Sequence, residues 1–166
     1  MHGLNTQTKK NKKVQLSRKI KKRSSPKIDV ARQRPGDEIP LHWIRQIGIT
    51  VLQEEEWKGK GSLSIVLIDN ERIQELNSRF FNRDRPTDVI AFPLDDEEDN
   101  VWGEIYVSED QAKAQASLYN VTLLEELCRL VIHGILHLVG YDDGDECSRG
   151  KMTEREDDYL RRFFSV

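Results

Sequence analysis

Along residues 25–166 the hydrophobic positions switch period several times, and each switch marks an element. "SLSIVLID" (62–69) is a short apolar run rich in β-branched residues and bounded by Gly61 and Asn70, the pattern of a buried strand. "TDVIAFP" (87–93) and "GEIYVS" (103–108) read as two more strands, with the acidic "LDDEEDN" between them as a solvated hairpin loop. "KIDVARQ" (27–33) alternates at Ile28 and Val30 and gives a fourth. Helical spacing appears after Pro40, at Leu41, Ile44, Ile47 and Val51, and again at Ile73, Leu76 and Phe80. Ser108 is placed to cap a helix through "EDQAKAQASLY", and Thr122 with Glu125 forms a capping box before "LLEELCRLVIHGILHLVG", which Gly140 terminates. From Leu127 to Val139 that segment is apolar almost all round, so it belongs in the middle of the domain. A last amphipathic helix covers roughly 148–164. Strands and helices are mixed, and the expected class is α+β: a small mixed sheet of about four strands with surrounding helices, one of them central. No internal repeat is present.

Composition alters this picture in one place. The net charge of −3 conceals nine Lys/Arg and no acid in residues 1–24, leaving 17 basic against 29 acidic residues in the rest. The expected organisation is a basic, disordered arm over 1–24 and one folded domain over 25–166. Such an arm suits contact with nucleic-acid phosphates, and a solubilising extension or an organelle presequence are the other readings of it. No apolar run reaches the ~20 residues that span a bilayer, and no hydrophobic secretory segment is evident. Cys128 and Cys147 form no CxxC pair, so neither a disulfide framework nor a thiol-based zinc motif is expected. The cytoplasm is the default location, with an organelle possible if the arm is a presequence.

The chemistry concentrates in "HGILHLVGYDDGDEC" (133–147). His133 and His137 stand at i and i+4, on one face of the central helix, where two imidazoles can converge on one metal ion. Gly134 costs ~1 kcal/mol relative to Ala inside a helix, and close approach of a substrate or of other backbone would offset it. Past Gly140 the chain can turn back, so Asp142, Asp143 and Asp145 are each candidates for a third ligand. Two core histidines without metal are the competing reading. The zinc-protease pattern H-E-x-x-H would place its general base at 134, and the glycine there argues against a peptidase. A divalent ion so held would acidify a bound water and polarise a phosphoryl or carbonyl oxygen.

At these residues the chain resembles the YbeY family, bacterial metal-dependent endoribonucleases of ribosomal RNA maturation and ribosome quality control. The family pattern H-G-x-L-H-L-x-G-Y-D-H is met by "HGILHLVGYDD", which departs only at its end. "LNSRFFNRDRPTDVIAFP" resembles the family's L-N-x-x-Y-R-x-x-D-x-P-T-D-V-L-S-F-P, and "WGEIYVS" its L-G-D-I-x-I-S. The resemblance runs from about 27 to 164. It implies a four-stranded mixed sheet, a metal held by His133, His137 and, in place of a third histidine, Asp143. It also implies cleavage of single-stranded RNA, near ribosomal RNA ends and the small ribosomal subunit, with no membrane partner. One Zn²⁺ per chain is the expected cofactor, and the carboxylate raises the relative affinity for Mn²⁺ or Mg²⁺.

The second departure is Phe81, where the family carries a groove arginine. Arg79, Arg83 and Arg85 lie nearby as substitutes, and Phe81 is either partly core or free to stack on a base. Beyond the metal, Arg83, Asp84 and Thr87 are the candidate catalytic residues; together with Pro86 and Asp88 they equally suit a plain strand-entry turn. Asp142 is a candidate to orient a ligand histidine, or a turn residue. His42 reads as a surface or interface residue. The rivals to a nuclease are a ribosome-associated factor that keeps the metal without efficient cleavage, and a metallohydrolase of another substrate.

Overall fold

The structure, a computed structural model, describes residues 25–36, 38–96 and 101–165. The expected basic arm, 1–24, lies outside the described residues. The elements run β1 (Lys27–Arg32), α1 (Leu41–Glu54), β2 (Ser62–Ile68), α2 (Asn70–Phe81), β3 (Val89–Asp96), β4 (Val101–Ser108), α3 (Glu109–Tyr119), α4 (Leu123–Leu138) and α5 (Glu146–Phe164). The strands form one mixed sheet in the order β1-β2-β4-β3. β1 and β2 are parallel, β2 and β4 are parallel, and β3 runs antiparallel to β4. Helix α1 is the crossover from β1 to β2, while β3 and β4 form the hairpin. This is the α+β class expected from the pattern.

β2 shows why the apolar run is continuous rather than alternating. Leu63, Ile65 and Leu67 point into the main core with Ile105 and Val107 of β4. Val66 and Ile68 point to the opposite face, under Ile73 and Leu76 of α2. A strand covered on both faces needs apolar residues at both parities. The main core is closed by Ile44, Ile47, Val51 and Leu52 of α1, by α4, and by Met152, Tyr159 and Leu160 of α5.

The caps fall where the side chains promised. Ser108 accepts from the Gln111 N–H at 3.2 Å and Thr122 from the Glu125 N–H at 3.1 Å. β4 starts two residues earlier than expected, at Val101, and α5 at Glu146, while β3 differs at both ends. β3 begins at Val89, because the Asp88 carboxylate accepts its own neighbour's Val89 N–H (2.8 Å) and shapes a turn there. It also runs on to Asp96, so part of the acidic segment is strand rather than loop; backbone pairing of Asp96 with Val101 overrides the low strand preference of Asp. Cys128 is buried, Cys147 exposed, and both are free. No helix among the described residues is long and apolar enough to cross a membrane.

Candidate metal centre

Helix α4 sits over β3 and β4 and is flanked by α1, α3 and α5. Leu127, Val131, Ile132, Ile135 and Leu136 are fully buried, so the helix cannot turn about its axis without exposing them. That fixes the direction of His133 and His137, whose Nε2 atoms lie 3.1 Å apart. Gly134, between them in sequence, faces the sheet: a Cβ there would meet Ile105 Cγ2 at 3.0 Å and Cδ1 at 3.1 Å. The close approach that explains this glycine is therefore packing of helix on strand.

The turn after α4 separates the three aspartates. Gly140 adopts φ +108°, and the Gly140 and Tyr141 N–H groups donate to the carbonyls of His137 (3.1 Å) and Leu136 (2.9 Å). This is the Schellman closure, which needs a left-handed residue just past the helix end. Asp142 turns inward on the bend, its Oδ1 accepting from the N–H groups of Asp143 (2.8 Å) and Gly144 (3.1 Å). Its role is the turn, not the orientation of a histidine. Asp145 caps α5, accepting from the Ser148 N–H at 2.9 Å. Those hydrogen bonds from Ser148 hold its carboxyl below the ordinary range. Asp143 alone remains, and its Oδ2 lies 3.9 Å from His133 Nε2 and 3.6 Å from His137 Nε2.

Three donors at these separations fit a divalent ion. The circle through the three atoms has a radius of about 2.1 Å, which matches the ~2.0–2.2 Å bonds that imidazole and carboxylate make to Zn²⁺. His133, His137 and Asp143 are also the group of potential ligands that the described residues bring together, all within 4.8 Å.

The residue missing from the sequence reading is Glu156 of α5. Its Oε1 accepts from His133 Nδ1–H at 2.7 Å, and its side chain is buried. A carboxylate can only accept, so the proton sits on Nδ1 and the Nε2 lone pair faces the site. Burial of the His133 imidazole disfavours its charged form. The hydrogen bond and charge of Glu156, with the charges of Asp143 and Asp88, outweigh that and raise its pKa. Buried Glu126, about two turns before His133 on α4, has its pKa raised by burial, with Arg129 Nε 3.3 Å away as counter-charge. The surroundings are acidic and suit a cation. No sequence signal picks out Glu156 from its neighbours Glu154, Asp157 and Asp158; only docking of α5 on α4 does.

The ligands open on a groove of about 370 Å³. Its other wall comes from the segment after α2. There Asn82 takes a left-handed C-cap at φ 55°, and buried Asn77 donates Nδ2–H to the Arg85 carbonyl at 2.8 Å. This presents Phe81, Arg83, Thr87 and Asp88 to the groove. Thr87 donates its hydroxyl to Asp88 Oδ1 (3.4 Å), and Gln115 Nε2–H donates to Asp88 Oδ2 (3.1 Å). Of the candidate catalytic residues, Arg83 and Thr87 join the ligands. Asp84 does not: it accepts from Gln74 Nε2 at 2.9 Å and lines a separate depression with Glu71 and Arg79. The loop is pinned by Asn77, so Arg83 and Asp84, adjacent in sequence, point to opposite sides. His42 is exposed, as expected.

An ion site of two imidazoles and one carboxylate, at the floor of an open groove and with a buried carboxylate behind one imidazole, defines a metal-dependent hydrolase. The family model described as "Endoribonuclease YbeY" matches residues 30–164. The endoribonuclease YbeY of Carboxydothermus hydrogenoformans is 40% identical over 136 residues, 81% of this chain and 89% of its own. That of Acholeplasma laidlawii is 42% identical over 105 residues, 63% of this chain and 77% of its own. A solution structure of a Thermotoga maritima protein is 34% identical, covers 81% of this chain and 87% of that one, and superposes with a TM-score of 0.58. The chain belongs to the YbeY family of endoribonucleases.

Proposed function

We propose that this protein cleaves single-stranded RNA in the maturation of ribosomal RNA, at the small-subunit 3′ end, with one Zn²⁺ held by His133, His137 and Asp143. The observation that carries the reading is the convergence of those three donors on one point beside a groove open to a polymer. When bound, the ion supplies a Lewis acid for the phosphoryl oxygen and lowers the pKa of a coordinated water. The chain's own residues do the rest. Glu156 keeps His133 in the ligating tautomer. Asp143 adds a negative charge that a third imidazole would lack, which favours harder ions such as Mn²⁺ relative to an all-histidine set. Arg83, exposed at the groove, would neutralise a phosphate of an RNA backbone lying there. Asp88, held by Val89 N–H and Gln115, is fixed as an acceptor on the groove wall rather than free to bind metal.

Asp84 is left out of the catalytic set, and Thr87 acts through Asp88. Residues 1–24 add sequence-independent affinity for RNA phosphates or for the ribosome, in the cytoplasm. The non-cleaving alternative is not favoured, because the match to the endoribonuclease family spans residues 30–164 and the ligand triad is intact within it. The test is cleavage of a single-stranded RNA bearing the small-subunit rRNA 3′ sequence by metal-loaded protein, beside His133→Ala prepared identically. Cleavage that disappears in the variant supports the reading. No cleavage by wild type, or equal cleavage by both, overturns it.

A further inference from the structure

Helix α2 ends in two exposed phenylalanines, which is an unusual choice for a helix terminus facing water. Phe80 is 54% exposed and Phe81 48%. They are not loose. Phe81 stacks on Phe92 of β3 with ring centroids 5.8 Å apart and planes 14° from parallel. Phe80 meets the same Phe92 ring edge-on at 4.9 Å, with the Arg79 guanidinium 5.4 Å from its own centroid. Phe92 is in turn set against Tyr106 of β4. Phe81 is thus a ring whose one face is backed by a rigid aromatic stack anchored in the sheet. Its remaining surface borders the groove that contains His133, His137, Asp143 and Arg83.

We infer that Phe81 is a nucleobase platform: an unpaired base next to the scissile phosphodiester stacks on its open face, with Phe92 behind it. The inference rests on the endoribonuclease reading and deepens it by naming how single strands are selected. A flat apolar ring at a groove wall offers no hydrogen-bond readout, so it accepts any base, and a base already paired and stacked in a duplex cannot reach it. Arg83, two residues on, meets the backbone beside the same nucleotide. A fixed platform also costs the protein little ordering on binding, because the Phe81 ring is already held by Phe92.

The experiment measures binding, not cleavage. Metal-free full-length protein is titrated with a single-stranded 2′-O-methyl oligoribonucleotide and with the same oligonucleotide carrying one abasic residue at each position in turn. The wild type is expected to lose about tenfold or more in affinity at one abasic position. Phe81→Ala is expected to bind the intact oligonucleotide more weakly by a similar factor and to be insensitive to that abasic position. Phe81→Trp should keep wild-type affinity. Phe81→Leu, which preserves apolar packing on Phe92 but has no ring face, should resemble Phe81→Ala. Wild-type affinity in Phe81→Ala, an abasic penalty that persists in that variant, or no measurable binding by wild type would each overturn the inference. Failure of the cleavage assay with binding as expected would remove the nuclease reading alone.

Discussion

Replacing Glu156 separates what the ligands do from what holds them. The carboxylate accepts from His133 Nδ1–H at 2.7 Å and is only 7% exposed, so water does not take its place without rearrangement. Removing it strands no cation, because Arg129 keeps Glu126 at 3.3 Å and Asp157 at 3.4 Å. Glu156→Ala leaves His133 free to rotate and to take the tautomer that hides its Nε2 lone pair. Loss of such a partner behind a ligating histidine costs about 10–100-fold in metal affinity, or roughly 1.4–2.7 kcal/mol. Glu156→Gln keeps an acceptor without the charge and should fall between. The pH dependence carries the sign of the effect. In the wild type, burial lowers the His133 pKa, but Glu156, Asp143 and Asp88 raise it by more, so protons compete with metal from a higher pH downward. Without Glu156 that competition begins at a lower pH. The affinity gap between wild type and Glu156→Ala should therefore be widest in mild alkali and narrow as pH falls through the His133 titration. Competition titration of metal-free protein against a chromophoric chelator across that range reads both features, with circular dichroism confirming the fold. Equal affinity at all pH values, or a gap that does not change with pH, would refute the assigned role.

The remaining predictions test the ligand set, its support and the RNA contacts. Asp143→Ala should lower metal affinity by more than the ~10–100-fold of a supporting residue, and Asp143→His should shift the Zn²⁺/Mn²⁺ preference towards Zn²⁺, both read by the same titration. Gly134→Ala should gain ~1 kcal/mol of helix propensity and lose about 1–3 kcal/mol to overpacking on Ile105, a net loss visible in urea denaturation, with weaker metal binding as α4 lifts. In metal-free protein the raised His133 pKa stabilises the fold most at pH values below about 6.5, and that contribution should disappear as pH rises through the folded-state value. Deleting residues 1–24 should flatten the log–log salt dependence of RNA binding by ~0.7 per lost phosphate contact, and Arg83→Ala by one such step.

Most of the fold was legible in the sequence because its elements obey single periodicities. The i, i+4 histidines needed no more than helix geometry. Choosing among Asp142, Asp143 and Asp145 needed the backbone: one closes a turn, one caps a helix, and the sequence offers the same carboxylate for all three. The family resemblance points to Asp143, the carboxylate that the structure brings to the two imidazoles, and the reason lies in the hydrogen bonds that occupy the other two. For Gly134 the sequence implies close approach of a substrate or of backbone; the residue does border the groove, and what a Cβ there would meet is the Ile105 side chain. Sequence can say that a glycine tolerates close approach, and not which side chain approaches. Glu156 was invisible because α5 carries four acids within five residues, Glu154, Glu156, Asp157 and Asp158, and only its docking angle decides which acid reaches His133.

The site is held together by residues far from it in sequence, and Glu55 at the end of α1 shows how. Its carboxylate accepts from Tyr141 OH at 3.0 Å, Tyr159 OH at 2.7 Å and Arg155 Nε at 2.6 Å. Burial opposes its charge, yet those three donors hold its pKa below the ordinary carboxylate value. Tyr141 stands two residues before Asp143, and Tyr159 three after Glu156. One half-buried anion thus ties the turn carrying the candidate third ligand to the helix carrying the orienting carboxylate, and both to α1 against the sheet. The positions of His133 and His137 along the site are set by the apolar faces of α4, and the ring of His133 by Glu156. The ion's donors are therefore set by two structures that meet at the His133–Glu156 hydrogen bond, a greasy helix and a charged clasp, and their common centre exists only when both are formed. This is why the histidine spacing could be read from fifteen residues, while the geometry that makes it a metal site required the whole domain.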